Sequence, residues 1–257
     1  MEQTIAKVLR CEDIAQDIFL LELSAPGIAQ AAVPGQFVHV AVPGAGVNIL
    51  RRPISLMGFD AGAGTLSMAI QVKGEGTKRL RALRPGETVD VLGPIGRGFE
   101  LRGARRVFFI GGGVGVAPVR GALDAFADAC DCEAFFGYRG KAFAYGLDGL
   151  SCPVHVATDD GTLGERGIVT APLLRALDAG APDMMFACGP APMLRAVQRI
   201  ALERNIPCQL SLEERMGCGL GACLVCNCKV RAADGFDYKR VCVDGPVFDA
   251  QEVIFDG

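Results

Sequence analysis

The sequence predicts an α+β protein of several domains: an N-terminal antiparallel β-barrel over residues 1–101, a central α/β domain built on a parallel sheet over 102–210, and a small C-terminal domain over 211–257. Three observations predict this. Short β-branched runs punctuated by Gly and Pro turns fill the first part. Strands alternate with helical stretches from Arg105 onwards, the pattern of a parallel sheet with crossovers. The tail is rich in Gly and Cys and too short to build a core unaided.

The barrel strands are read at residues 5–9, 18–23, 37–42, 66–72 and 88–92, separated by turns such as Ala25-Pro26-Gly27, Val33-Pro34-Gly35 and Arg84-Pro85-Gly86. Arg52-Pro53-Ile54-Ser55 lies at a further strand, after a Gly/Pro-rich loop. Alone, an Arg-Pro pair marks no more than an edge or a turn. Gly74-Glu75-Gly76-Thr77 precedes a helical stretch at 78–83. With Thr77 as N-cap, such a turn presents free N–H groups and the positive helix end to an anion such as a pyrophosphate. An ordinary helix cap accounts for it equally well.

In the central domain a short apolar strand at 107–110 runs into Gly111-Gly112-Gly113-Val114-Gly115-Val116-Ala117-Pro118 and a helix to residue 129. A Gly-rich turn between strand and helix is where α/β sheets hold phosphates. Neither register satisfies G-x-G-x-x-G, because Val116 or Pro118 occupies the last glycine site. Strands follow at 133–138, 154–158 and 184–188, with helices at 172–177 and 192–203, and a strand at 208–212 closes the sheet. Cys188-Gly189-Pro190 repeats the pattern of strand, Gly turn and helix start. A thiol at a strand's C-terminal end sits where ligands gather, although a buried structural Cys reads the same way.

In the tail, Cys218, Cys223 and Cys226 stand in the spacing C-x4-C-x2-C, with Cys242 downstream. That is the plant-type [2Fe–2S] arrangement, in which thiolates hold two sulfide-bridged irons. Gly219, Gly221 and Ala222 let backbone N–H groups approach the sulfurs. Structural zinc is the rival, but it favours paired short spacings, and here the first gap is too wide. Reduced structural thiols would require five Cys in one Gly-rich segment by chance. Cys228 competes with Cys226 for the third ligand position, but only Cys226 provides C-x2-C; Cys228 reads as an alternating strand residue beside Lys229. The other Cys residues are scattered in apolar settings, as small buried hydrophobes are.

Composition excludes several classes. A net charge of −3 over 257 residues leaves no basic footprint for nucleic acid and no polybasic patch for a membrane surface. The longest apolar stretch, 107–119, is broken by Gly and Pro and is too short to span a bilayer. Met1-Glu2-Gln3-Thr4 has none of the features of a signal peptide, so the expected compartment is the cytoplasm, where eleven Cys are unlike a disulfide framework. The two His, His39 and His155, read as ordinary strand residues.

Together these motifs resemble the ferredoxin–NADP reductase superfamily over about the first 210 residues: R-x-x-S on a barrel, a Gly-Thr phosphate turn, G-G-G-x-G-x-A-P and C-G-P. The tail, from Ser211-Leu212-Glu213-Glu214-Arg215-Met216-Gly217-Cys218 to Lys239-Arg240-Val241-Cys242-Val243-Asp244-Gly245-Pro246, resembles the electron-transfer subunits of dihydroorotate dehydrogenase B. Gly217 stands where that family commonly has Ala.

The resemblance implies FAD, a [2Fe–2S] cluster and NAD as cofactors. By it Arg52, Pro53, Ile54 and Ser55 contact FAD, with Ser55 near the reactive flavin nitrogen. Ala69, Ile70 and Gln71 line the flavin, and Gly76 and Thr77 bind its pyrophosphate. Gly111, Gly112, Gly113 and Gly115, with Cys188, Gly189 and Pro190, shape the nicotinamide site, and Cys218, Cys223, Cys226 and Cys242 ligate the cluster of a C-terminal iron–sulfur domain. Arg139, ending a strand, would suit a 2′-phosphate, whereas the family implies NAD.

The implied activity is that of an oxidoreductase subunit in pyrimidine biosynthesis with no catalytic side chain of its own. It passes electrons from an FMN-containing dihydroorotate dehydrogenase catalytic subunit to NAD+, in a hetero-oligomer with two of each chain. A flavin must stand between a nicotinamide, which exchanges two electrons, and a cluster, which takes one. Two alternatives remain: a similar subunit serving a hydrogenase, a sulfite reductase or a bifurcating ferredoxin oxidoreductase, and a redox-sensing or zinc-binding module without turnover.

Overall fold

The computed structural model describes residues 1–44 and 49–255. Its first part holds β1 (Glu2–Ala15), β2 (Ile18–Ser24), α1 (Pro26–Ala31), β3 (Phe37–Val40), β4 (Arg52–Ser55), β5 (Gly58–Asp60), β6 (Thr65–Gln71), α2 (Glu75–Arg81) and β7 (Thr88–Ile95). The strands form one antiparallel sheet in the order β4-β3-β7-β1-β2-β6-β5, curled into a half-barrel with β4 lying near β6. Alternation decides its faces. Phe19, Leu21, Leu23, Val38, Val40, Leu66 and Met68 fill its core. Ala25-Pro26-Gly27, expected as a turn, instead opens α1, with Pro26 at the first helical position, where its missing N–H costs no helix bond.

The central part holds β8 (Arg106–Gly112), α3 (Val116–Phe126), β9 (Asp131–Tyr138), β10 (Val154–Thr158), β11 (Glu165–Arg166), α4 (Thr170–Ala179), β12 (Met184–Cys188), α5 (Ala191–Glu203) and β13 (Cys208–Ser211). Both faces of its sheet are covered, which is why these strands read as unbroken apolar runs. Val107, Phe109, Phe136 and Phe186 pack with α3, whereas Phe108, Ile110, Phe135 and Met185 pack with α4 and α5.

The tail holds β14 (Asn227–Ala232), β15 (Gly235–Arg240), β16 (Val247–Asp249) and β17 (Val253–Ile254). The expected closing strand, β13, is not the edge: β16 pairs with it antiparallel, giving the order β11-β10-β9-β8-β12-β13-β16. The remaining tail strands form a small sheet, β15-β14-β17. Cys226, Cys228, Val230, Val241, Cys242 and Phe248 join the core beneath α4 and α5. Burial therefore helps to hold the tail, which borrows a core that it is too short to build.

The half-barrel docks through its outward-facing residues. Ile18 and Ala69 pack with α3 and β8, and Phe37 and Ile95 join the core shared with the tail. This docking places the ends of β4 and β6 opposite the Gly turns of the central sheet.

Candidate functional site: two clefts and a cysteine loop

The first cleft has a volume of about 650 Å³. Arg52, Pro53, Ile54 and Ser55 line it from β4, Ala69, Ile70 and Gln71 from β6, and Gly76 and Thr77 from the start of α2. All nine flavin-motif residues named from the sequence thus converge on one surface. The cap of α2 differs from the expectation. Gly74 is the N-cap and Thr77 sits in the first turn, because its Oγ1 reaches back to accept the N–H groups of Lys73 (2.9 Å) and Gly74 (3.2 Å). Gly76 is a close-approach glycine: a Cβ there would lie 2.6 Å from Nε of Arg52. The guanidinium and the helix start are thereby held side by side, a donor set that suits a phosphate. An apolar strand surface beside such a turn fits an elongated flavin dinucleotide.

The second cleft, of about 760 Å³, opens at the C-terminal ends of the parallel strands. Gly112, Gly113, Gly189 and Pro190 line it, with Arg139 and Asp159. Gly111, Gly115 and Cys188 are not among its lining residues. They lie behind it: Gly111 packs on Val116, and Gly115 lies against the Cys188 carbonyl. The Cys188 thiol is buried, and burial, with the nearby Glu213 charge, pushes its pKa well up, so it stays protonated. Tyr145 braces the Gly turn by donating its hydroxyl to the Val114 carbonyl at 3.0 Å.

Gln71, Lys73, Val114 and Glu213 line both clefts, so the two meet there. Glu213 follows β13; surrounding protein raises its carboxyl pKa, partly offset by the Lys73 charge. Sequence reasoning missed the roles of Lys73, Asp159 and Glu213 at the clefts. Asp159 follows β10 directly, a position where ligand-binding residues gather in such sheets. Glu213 carried no local signal beyond its place in the tail motif.

The cysteine loop runs from Cys218 to Cys226. The N–H groups of Leu220 (3.3 Å) and Cys223 (3.4 Å) point at Sγ of Cys218, and the Cys218 N–H points at Sγ of Cys223 (3.4 Å). These donors, that of Leu220 first, lower the Cys218 pKa to about 6 and so favour its thiolate. Gly219 and Gly221 supply the left-handed turns that aim the amides inward, with φ of 69° and 79°. Leu224 adopts φ of 56° without a glycine's freedom, a strained position within the loop. The Cys242 thiol contacts that of Cys226. The four thiols thus approach as two pairs, Cys218 with Cys223 and Cys226 with Cys242, as two irons each taking two Cys ligands require. Among the described residues no three His, Cys, Asp or Glu side chains gather around one ion position. Cys228 faces the core on β14, beside its fellow core residue Val230. Cys226 and Cys242 are buried and Cys223 is exposed, and the exposed apolar residues Leu220, Leu224 and Val225 rim the outer side.

Known proteins match this layout part by part. Residues 5–99 match the oxidoreductase FAD-binding domain, 109–199 the oxidoreductase NAD-binding domain, and 213–254 the iron-sulfur cluster binding domain of dihydroorotate dehydrogenase B. The dihydroorotate dehydrogenase B (NAD(+)) electron transfer subunit of Caldanaerobacter subterraneus subsp. tengcongensis is 40% identical over 97% of this chain and 98% of its own. That of Bacillus caldolyticus is 42% identical over 94% of each. The chain belongs to the family of dihydroorotate dehydrogenase B electron-transfer subunits. As a member it is an oxidoreductase subunit with FAD-, NAD- and iron–sulfur-binding domains, on a ferredoxin reductase-like fold.

Solved structures agree with that fold. An NADH-dependent reduced ferredoxin-NADP oxidoreductase, described for flavin-based electron bifurcation, superposes with a TM-score of 0.86 over 98% of this chain and 90% of its own, at 28% identity. The ferredoxin reductase in carbazole 1,9a-dioxygenase, at 20% identity, shares the fold with a TM-score of 0.65 over 80% of this chain and 67% of its own. No helix among the described residues is long and apolar enough to cross a membrane.

Proposed function

We propose that this chain carries electrons between NAD+ and an FMN-bearing catalytic subunit that oxidises dihydroorotate, in a cytoplasmic assembly with two of each subunit. The carrying observation is the cysteine loop: its four thiols stand in two pairs with one side exposed, in a tail that matches the iron–sulfur domain of this family over residues 213–254. FAD, when bound, exchanges a hydride with a nicotinamide and single electrons with an iron–sulfur centre, and so joins two chemistries that differ in electron count.

The chain's own residues bind and orient. Arg52, with the turn at Gly76 and Thr77, holds the pyrophosphate of FAD; Pro53, Ile54, Ala69, Ile70 and Gln71 form the surface for the flavin ring, with Ser55 beside its reactive nitrogen. Gly112 and Gly113, with Gly189 and Pro190, shape the nicotinamide site, and Gly111, Gly115 and Cys188 keep its two turns in contact. Asp159 accepts hydrogen bonds from a ribose, which favours NAD over NADP. Glu213, at the junction of the clefts, places a carboxyl group there, with its pKa raised by burial and lowered in part by the Lys73 charge. Cys218, Cys223, Cys226 and Cys242 ligate the cluster. The barrel, nucleotide and cluster units are assigned to residues 1–101, 102–210 and 211–257.

Leu220, Leu224 and Val225 are 52%, 58% and 54% exposed, an apolar rim that a partner subunit would cover. Alone, the purified chain is expected to oxidise NADH with dye acceptors and to leave dihydroorotate untouched. Adding the cognate catalytic subunit should create dihydroorotate-dependent NAD+ reduction, and Val225→Glu should abolish that activity while dye reduction persists. Oxidation of dihydroorotate by the isolated chain, or no complex on co-expression, refutes this reading.

The similarity to the bifurcating oxidoreductase supports a second reading, a subunit that exchanges electrons with ferredoxin. NADH-dependent ferredoxin reduction without any response to dihydroorotate and the catalytic subunit would favour it.

A further inference from the structure

His39 stands on β3, whose alternation sends Val38 and Val40 into the barrel core and Phe37 and His39 to the opposite face. Its side chain is fully buried, and among the described residues neither Nδ1 nor Nε2 has a hydrogen-bond partner. A buried polar group without a partner loses its hydration and regains nothing. Leu or Val would fill the same strand position without that loss, so packing alone does not account for an imidazole.

The ring faces the cysteine loop. A Cβ on Gly219 would lie 2.4 Å from Cε1, 2.7 Å from Nδ1 and 2.9 Å from Nε2 of His39. The ring edge that carries both nitrogens therefore abuts the backbone between Cys218 and Leu220. In the same turn the amides of Leu220 and Cys223 already point at Sγ of Cys218. An imidazole carries at least one N–H, so the ring has a donor to offer on this edge. Its register partner on β4 is Pro53, in the flavin cleft, so the residue stands between that cleft and the loop.

We propose that His39 is a positioning residue for the iron–sulfur cluster: its ring seats Gly219, and its N–H donates to a cluster sulfur, raising the reduction potential. This rests on the proposed function only in that the four loop cysteines hold the cluster. Hydrogen bonds to the sulfurs are among the factors that set the potential of such centres, and a donor from the barrel adds one that the loop cannot supply.

The chain has two His, His39 and His155, and His155 bonds Glu133 at 2.8 Å on the central sheet. Labelling all histidine with 15N in the His155→Gln variant therefore reports on His39 alone. Pulsed electron paramagnetic resonance of the reduced, FAD-containing protein should then show a 15N coupling to the cluster. Redox titration of His39→Leu, at unchanged iron and flavin content, should show a potential lowered by about 59 mV, a tenfold change in the one-electron equilibrium. His39→Gln, which keeps an N–H, should recover part of the shift. A cluster of full iron content with no 15N coupling overturns the proposal even if His39→Leu fails to fold, and so does an unchanged potential in His39→Leu. Absence of iron from the wild-type protein would instead overturn the cluster assignment, a separate failure.

Discussion

Gly115 lies so close to Cys188 that a Cβ on Gly115 would sit 2.4 Å from the Cys188 carbonyl oxygen. The φ of Gly115 is −66°, which any residue adopts, so the close approach alone demands glycine there. The contact joins the start of α3 to the end of β12, and so the two turns that line the second cleft. Gly115→Ala should separate them, raise the KM for NADH and lower stability by about 1–3 kcal/mol, the usual range for overpacking. Steady-state kinetics and urea denaturation check this, with flavin and iron content expected to stay at wild-type levels.

Arg52→Ala should weaken FAD binding and spare the cluster spectrum. A hydrogen bond from a charged group is worth about 1.5–3 kcal/mol, roughly a ten- to hundred-fold rise in Kd. Thr77→Ala should act indirectly, because its Oγ1 is committed to the amides of Lys73 and Gly74, at about 1 kcal/mol as for a lost cap. Flavin retention during gel filtration, and titration of the apoprotein with FAD, measure both. Unchanged affinity in the double variant would remove the phosphate-site assignment.

Replacing Cys218, Cys223, Cys226 or Cys242 with Ala should abolish the cluster absorbance and lower the iron content. Cys228→Ala should leave both intact, because Cys228 faces the core from β14. Iron analysis decides the matter. A cluster kept in Cys226→Ala and lost in Cys228→Ala would exchange the third ligand.

Stability should fall in acid partly through Asp90. Its carboxylate accepts a hydrogen bond from Arg51 at 2.6 Å and another from Gln3 at 2.9 Å. The Arg51 bond first, then that of Gln3, holds its pKa below the ordinary value of 3.8 against some desolvation. The unfolded chain therefore binds the proton first as pH falls. The stabilisation is complete above the ordinary carboxyl range and is lost as pH drops through the lower folded pKa. The pair is partly exposed, which limits its worth to about 1 kcal/mol. Asp90→Asn should flatten the stability profile below about pH 4, as measured by denaturant midpoints across pH.

The strand–turn–helix units of the central sheet were legible because apolar runs and Gly turns are local signals. β10 and β12 occupy the residues expected of them. The cap of α2 was not legible, since Gly74 and Thr77 are both capable of capping and only the chain's path chooses between them. The first cleft collects every flavin-motif residue, whereas Gly111, Gly115 and Cys188 share the motif of the second cleft but stand behind its lining. A motif records which residues a turn needs, not which of them face the ligand.

By itself the sequence determined the three-part layout, the family and the spacing of the cysteine loop. Each depends on residues near one another in the chain, where periodicity and turn chemistry act directly. Tertiary structure alone decided that β16 extends the central sheet, that Glu213 stands where the two clefts meet, and that His39 lies beneath Gly219. These relationships join segments far apart in sequence, and they arise only when the apolar faces of the barrel, the sheet and the tail are buried against one another.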